Sequence, residues 1–324
     1  MPGPIAQSVY PANVLGPWLP EPMVPSVIRE ADAAGNVRAM LNPRWLDIAY
    51  YWMQAEAPRG TQAIIVGANA TLTASFLLGS EGRRQGAMRI FGLMSNQTAN
   101  FSVFLVHTTL DRPLMDVPIP HNLIFGANAR LPGRPIEAIP LDAVSAIQAQ
   151  LTDTSGAPNT IRTSLGGPRY FGRQPPNAQQ QWFRRLTHPY WMGISGSTIA
   201  GQPVAGEVAL GAGATATLFF QVPSSAYFEC NSFLDDSTGG YNLQLFEGLE
   251  GRSYMSAPIP IGHIAAVSAA GFPAAGNPAF LLQPIRFEPA TTIRIVVTDT
   301  SGNPNRIRFA MHGRLIYAEA QERG

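Results

Sequence analysis

The sequence predicts an all-β protein built from two tandem antiparallel β-sandwiches or jelly rolls that arose by internal duplication. Three observations predict it. Thr152-Asp153-Thr154-Ser155-Gly156-Ala157-Pro158-Asn159-Thr160-Ile161-Arg162 returns 146 residues later as Thr298-Asp299-Thr300-Ser301-Gly302-Asn303-Pro304-Asn305-Arg306-Ile307-Arg308, identical at nine of eleven positions. A repeat spaced this widely and present twice marks a duplicated domain rather than a solenoid. The strands around it alternate in the same phase in both copies. The composition agrees: 45% hydrophobic, only 13% charged, with 31 Gly and 29 Pro in 324 residues. That mixture excludes a helical bundle and a charge-rich disordered chain.

Residues 1–40 form an extended, Pro-punctuated arm, because proline removes donors and disfavours helix before it. The arm carries Val14, Leu15, Trp18, Leu19, Met23 and Val24, too apolar for a plain tail. It is expected to drape over its own sandwich or a neighbouring subunit. The first sandwich spans 41–172, with a short leading helix over 43–52 for which Asn42 is the cap and Pro43 the first helical residue. A linker over 173–188 carries a second short helix, with Trp182 and Phe183 on it as contact residues. The second sandwich spans 189–324.

The strand pattern supports this division. Leu72, Ala74, Phe76 and Leu78 alternate with polar neighbours, and Ala216, Leu218, Phe220 and Val222 repeat them 144 residues on. Period two is the mark of a half-buried strand, and a slip of one residue would turn its core face to solvent. Phe101, Val103 and Leu105 match Tyr241, Leu243 and Leu245. Ile147, Ala149 and Leu151 match Ile293, Ile295 and Val297, and Gly167 matches Gly313 near the end of each copy. Seven or eight short strands per copy are the signature of a sandwich or jelly roll.

The repeated turn reads first as mechanical. Asp153 and Asp299 can bond the backbone two residues on, and Gly156 and Gly302 accept positive φ. Asn159 and Asn305 end the loops, giving a hairpin of the longer type. The alternative is calcium held by Asp153 or Asp299 with backbone carbonyls; calcium prefers several carboxylates and each loop offers one.

Chemistry is sparse. The five histidines show no metal-ligand spacing, and single Cys230 excludes an intrachain disulfide. His121 and His263 fall near the same place in the two copies, which suggests shared packing. Gly193-Ile194-Ser195-Gly196-Ser197 lacks the second glycine of a nucleophile elbow. Asp235-Asp236 reads as a solvated pair. No catalytic, cofactor or metal set is expected, and an enzyme is not predicted. All 22 basic residues are arginine against 21 acids, a near-neutral balance without a nucleic-acid footprint. No apolar run reaches membrane-span length and no signal peptide is evident.

The tandem sandwich, apolar arm, low charge and missing secretion signal resemble structural proteins of bacteriophage particles. The segment Asn305-Arg306-Ile307-Arg308-Phe309-Ala310-Met311-His312-Gly313-Arg314 resembles the last strand of such proteins, and the resemblance covers about 50–318. Double jelly-roll capsid proteins are one version, in which two rolls per chain form trimers of pseudo-sixfold outline. The two copies here are smaller and more alike, so a collar or tail component is the other. The resemblance implies a non-enzymatic building block in the virion, made in the host cytoplasm, contacting itself and other virion proteins. A carbohydrate-binding or host-adhesion module is the alternative, with Trp182, Tyr190 and Trp191, or Trp45, Tyr50, Tyr51 and Trp52, as a sugar platform.

Overall fold

The computed structural model describes residues 27–31, 37–41, 48–56, 63–78, 86–108, 111–126, 133–141, 145–171, 187–200, 202–204, 206–248, 251–267 and 279–317. Nearly all of them are strand or turn. Each half contributes eight main strands. In the first they are Ile48–Gln54, Thr71–Leu77, the pair Gly86–Ile90 and Gly92–Gln97, Phe101–His107, Ile119–Pro120, Ile139–Leu141, Ala146–Asp153 and Asn159–Phe171. In the second they are Thr187–Gly193, Thr215–Gln221, Ala226–Asp235, Tyr241–Glu247, Ile259–Pro260, Ala279–Phe287, Thr292–Asp299 and Phe309–Tyr317.

Counted along the chain, both halves build the same two sheets. One runs first, eighth, third, sixth; the other runs second, seventh, fourth, fifth. That is the double Greek key of a jelly roll. In the sheet of the second, seventh, fourth and fifth strands the registers coincide residue for residue. Ala149 lies between Ala74 and Leu105, and Ile295 lies between Leu218 and Leu245. Repeat-matched residues therefore occupy matched places in the sheets.

Alternation puts one face of each strand inside. Phe76, Val103, Leu105, Ile147, Ala149 and Leu151 are buried in the first roll, as are Phe220, Leu243, Leu245, Ile293, Ile295 and Val297 in the second. Each large aliphatic or aromatic side chain so buried contributes roughly 1.5–3 kcal/mol. Two hydrophobic clusters result, one per roll, and the first also takes in Trp191, Leu234 and Ala310 from the second roll. Cys230 packs as a small core residue, and burial pushes its thiol up to about 12.

The eighth strand of each roll bends at matched glycines. A Cβ on Gly167 would stand 1.8 Å from the Arg89 carbonyl oxygen, and one on Gly313 would stand 1.9 Å from that of Glu229. Opposite each glycine the third strand carries one extra residue, between Met88 and Gly92 in the first roll and between Cys230 and Ser232 in the second. The bulge was duplicated along with the strands.

The expected helix over 43–52 is corrected. Ile48-Ala49-Tyr50-Tyr51-Trp52-Met53-Gln54 is a strand, paired antiparallel with the eighth strand of its roll. Its run of aromatic and β-branched residues fits a half-buried sheet better than a helix. The counterpart, Thr187–Gly193, is also a strand and starts two residues inside the segment read as linker. The helix expected over 177–186, with Trp182 and Phe183, lies outside the described residues. So do Val14, Leu15, Trp18, Leu19, Met23 and Val24 of the arm, whose described part is a hairpin, Val27–Ala31 against Val37–Leu41.

Candidate functional site

Three places gather polar side chains: the repeated turns, the seam between the rolls, and a cleft beside that seam.

In each turn the aspartate faces donors. Asp153 Oδ1 accepts from Ser155 Oγ at 2.7 Å, and Oδ2 accepts from the amides of Asn69 and Gly156, both at 3.0 Å. Asp299 Oδ1 accepts from Ser301 Oγ at 2.7 Å, and Oδ2 from the Gly213 amide at 3.0 Å. Gly156 and Gly302 sit at φ of 76° and 73°. A carboxylate so supplied with N–H and O–H donors is held ionised without a cation. The Gly213 amide and the Ser301 hydroxyl hold Asp299 down at about 2. Burial would raise Asp153, but Ser155, Asn69 and Gly156 outweigh it and its carboxyl lies below the ordinary value.

Asn159 and Asn305 do more than end the loops. Asn159 Oδ1 accepts from the Ala99 amide at 2.9 Å, and Nδ2 donates to the Ala99 carbonyl at 2.7 Å. Asn305 Oδ1 accepts from Thr238 Oγ1, and Nδ2 donates to the Gly240 carbonyl and to Asp299 Oδ1. Each asparagine clamps its turn to the loop that crosses between the sheets ahead of the fourth strand. Both are buried, at 0% and 1% exposed, so an amide with matched donors and acceptors is required there.

The seam joins the loop after the fourth strand of the first roll to the first strand of the second. The Trp191 amide donates to Leu114 O at 3.0 Å, and the Asp116 amide donates to Trp191 O at 3.1 Å. The Gly193 amide donates to Asp116 Oδ1 at 2.8 Å, and Ser195 Oγ donates to the Pro118 carbonyl. Further along, the Ile136 amide donates to His312 Nε2 at 3.1 Å. Arg314 is shared by Glu137 of the first roll and Glu229 of the second, both at 2.8 Å. Trp191 stacks on His312 with centroids 4.8 Å apart, and the Arg112 guanidinium lies over the Tyr317 ring.

Burial strains the seam's titratable groups. Desolvation by burial drives the Asp116 carboxyl up to about 7, against the Gly193 amide that donates to it. Burial lowers His188 to about 4, with neighbouring Arg112 adding to the effect, and His312 to about 3.

The cleft, about 480 Å³, opens between the rolls. His121, Asn122 and Pro118 line it from the first roll; Glu207, Asp236 and Arg308 from the second. Arg308 and Arg306 both bind Glu207, at 2.7 Å each. Asp236 is raised by burial, against the pull of Asn122 and Arg308. His121 is lowered to about 4 by burial, so it is neutral at pH 7, with Nδ1 3.1 Å from the Phe101 carbonyl.

Several sequence readings change here. Asp235 is not solvated: it is 2% exposed, accepts from Ser237 Oγ and Tyr241 OH, and burial lifts it to about 6. His121 and His263 are not equivalent. His121 opens its helical turn and is buried, whereas Ile261 holds that position in the second copy and His263 is exposed. Tyr190 and Trp191 are 4% and 1% exposed, which removes them as a sugar platform. The seam was missed altogether; the one signal in the sequence was the Tyr-Trp-Met triplet repeated ahead of each sandwich. Among the described residues no group of three or more His, Cys, Asp or Glu is placed to hold a metal, and no helix is long and apolar enough to cross a membrane.

No protein-family model matches the chain, and no curated protein matches it. Solved structures similar in fold include VP54 of PBCV-1, fitted into a reconstruction of the virophage Sputnik. It is 8% identical, covers 86% of this chain and 97% of its own, and has a TM-score of 0.28. The PBCV-1 virus capsid is 10% identical, with coverage of 82% and 95% and a TM-score of 0.32. The CBM22 tandem domain of Paenibacillus barcinonensis Xyn10C is 9% identical, with coverage of 82% and 93% and a TM-score of 0.23. The functional reading therefore rests on the chain's own geometry.

Proposed function

We propose that this chain is a non-enzymatic structural subunit of a virus particle, a bacteriophage in particular. It assembles by forming between chains the same seam that joins its own two rolls. The observation that carries this is the duplication of both halves of the seam. Within the chain, Leu114-Met115-Asp116 of the first roll meets Trp191 of the second. The repeat places Tyr254-Met255-Ser256 of the second roll where Leu114-Met115-Asp116 stands in the first, and Trp52 where Trp191 stands. Trp52 pairs with Gly166 in the register in which Trp191 pairs with His312.

The burial pattern supports the reading. Leu114 and Met115 are fully buried in the seam, while Tyr254 and Met255 are only half-buried and Ser256, Ala257 and Pro258 are exposed. The first strand of each roll lies at the end of its sheet. The two hydrogen bonds that align the seam run between backbone amides and carbonyls and do not depend on side-chain identity. A surface that meets a different surface on the next copy makes a head-to-tail contact, which closes into a ring or propagates. A trimer alternates three seams within chains and three between them. The arm over 1–40 adds further contacts, as do other proteins of the particle.

Light scattering on the full chain tests this. The expected result is a discrete assembly larger than one 34.8 kDa chain. Met255→Arg should reduce it to single chains that keep the β-sheet circular dichroism of the wild type and unfold at a midpoint that no longer depends on protein concentration. A wild-type chain that stays single at high concentration overturns the reading.

A further inference from the structure

The seam contains one polar contact whose chemistry depends on a proton. His312 is 1% exposed on the eighth strand of the second roll. Its Nε2 lies 3.1 Å from the Ile136 amide of the first roll, and its Nδ1 lies 3.3 Å from Ser232 Oγ. A backbone amide can only donate, so Nε2 must carry a lone pair, and the proton of the neutral ring sits on Nδ1. The ring face is covered by Trp191 at an interplanar angle of 5°. The matched position in the first roll is Gly166, where the Trp52 ring itself fills the space. The histidine is thus present at the edge that meets the other roll within the chain and absent from the duplicate edge.

We propose that His312 is a proton-controlled latch between the rolls: the bond from Ile136 holds only while Nε2 is bare, so acidification parts the rolls at this edge. Protonation would set N–H against N–H and leave a cation in a buried site. The charged groups packed nearby are already engaged. Arg314, two residues along the strand, is shared between Glu137 of the first roll and Glu229 of the third strand. Among the described residues the ring's polar contacts are the Ile136 amide and Ser232.

The sign follows from burial. The closed seam keeps His312 below its ordinary value, near 3, while a released ring titrates near 6.5. Closure is therefore fully supported above about pH 6.5 and weakens as pH falls towards 3. His188 on the first strand of the second roll, lowered by its own burial and by Arg112, acts in the same direction. Asp116, raised by burial against the Gly193 amide, acts in the opposite one.

Hydrogen exchange of the full chain, expressed as a protection factor at the Ile136 amide, tests the latch in an Asp116→Asn background that removes the opposing acid. Protection is expected to fall on the order of a hundredfold between pH 7 and pH 4. In the doubly substituted chain with His312→Gln, whose amide oxygen still accepts from Ile136, that fall should shrink at least tenfold. Equal pH dependence in both chains overturns the proposal. The unsubstituted chain gives a second reading by NMR titration of the His312 ring. A ring that stays neutral down to about pH 4 while Ile136 is protected is the expected result. A ring that titrates near 6.5 with Ile136 protection unchanged overturns it.

Discussion

Asn305 donates from Nδ2 to Asp299 Oδ1 at 3.1 Å, so the residue that ends the repeated turn holds the one that begins it. The same amide donates to the Gly240 carbonyl, and its oxygen accepts from Thr238. One side chain fixes two connections at the same end of the roll.

Asn305→Ala and Asn159→Ala should each destabilise their own roll by about 2–4 kcal/mol, because each leaves several buried donors and acceptors unmatched. Denaturant unfolding measures it. A loss below about 0.5 kcal/mol in both variants would show that these clamps are incidental.

The bulge glycines should be less forgiving than the turn glycines. Gly313→Ala drives a methyl into the Glu229 carbonyl and should cost about 3 kcal/mol or more. Gly302→Ala meets no atom within 4 Å and suffers only its φ of 73°, a cost of about 1 kcal/mol. Thermal midpoints of the two variants should rank in that order.

Acid should weaken the turns. Asp299 is held near 2 by the Gly213 amide and the Ser301 hydroxyl, below its unfolded value of about 3.8. Its contribution is complete above that unfolded value and lost as pH falls through about 2. Asp299→Asn should flatten the stability profile between pH 4 and pH 2, read from unfolding midpoints. An unchanged profile would place the acid sensitivity elsewhere.

Asp116 gives the reverse profile. Burial raises it to about 7, so its contribution is greatest below about pH 4 and is lost as pH rises through 7. Asp116→Asn keeps an acceptor for the Gly193 amide. It should raise stability at pH 8, on the order of 2 kcal/mol, with little change at pH 4. Paired denaturant curves at the two pH values check this.

Removing residues 1–40 should leave both rolls folded, by circular dichroism, but unable to assemble. Normal assembly of the truncated chain would assign the contacts to the rolls alone.

The duplicated architecture was legible because strands report themselves through alternation. Leu72, Ala74 and Phe76 against Ala216, Leu218 and Phe220 fixed phase, and phase fixed register. The strand at Ile48–Gln54 was misread because Asn42-Pro43 imitates a helix start, and that local signal was weighed above the aromatic run after it. The turn aspartates were legible through Asx-turn chemistry, but the clamping by Asn159 was not. Its partners at Ala99 and Asn100 are about sixty residues away and are backbone atoms, which carry no identity in the sequence. The seam was hidden for the same reason. Ile136 and His312 are 176 residues apart, and only folding brings them together.

The spacing between the copies also changes along the chain. It is 139 residues at Trp52 and Trp191 and 144 at Thr71 and Thr215, so the second copy holds five extra residues between its first two strands. That longer segment contains the turn Ile194–Gly196 and the small hairpin of Thr198–Ile199 with Gln202–Pro203. It also supplies Ser195 and Glu207 to the cleft. The strand pattern is shared by the two copies, and the extra length lies in loops facing the sister roll. The backbone of the joint is therefore common to both rolls, and the five extra residues lie in the segment that gives the second roll its Ser195 contact with Pro118.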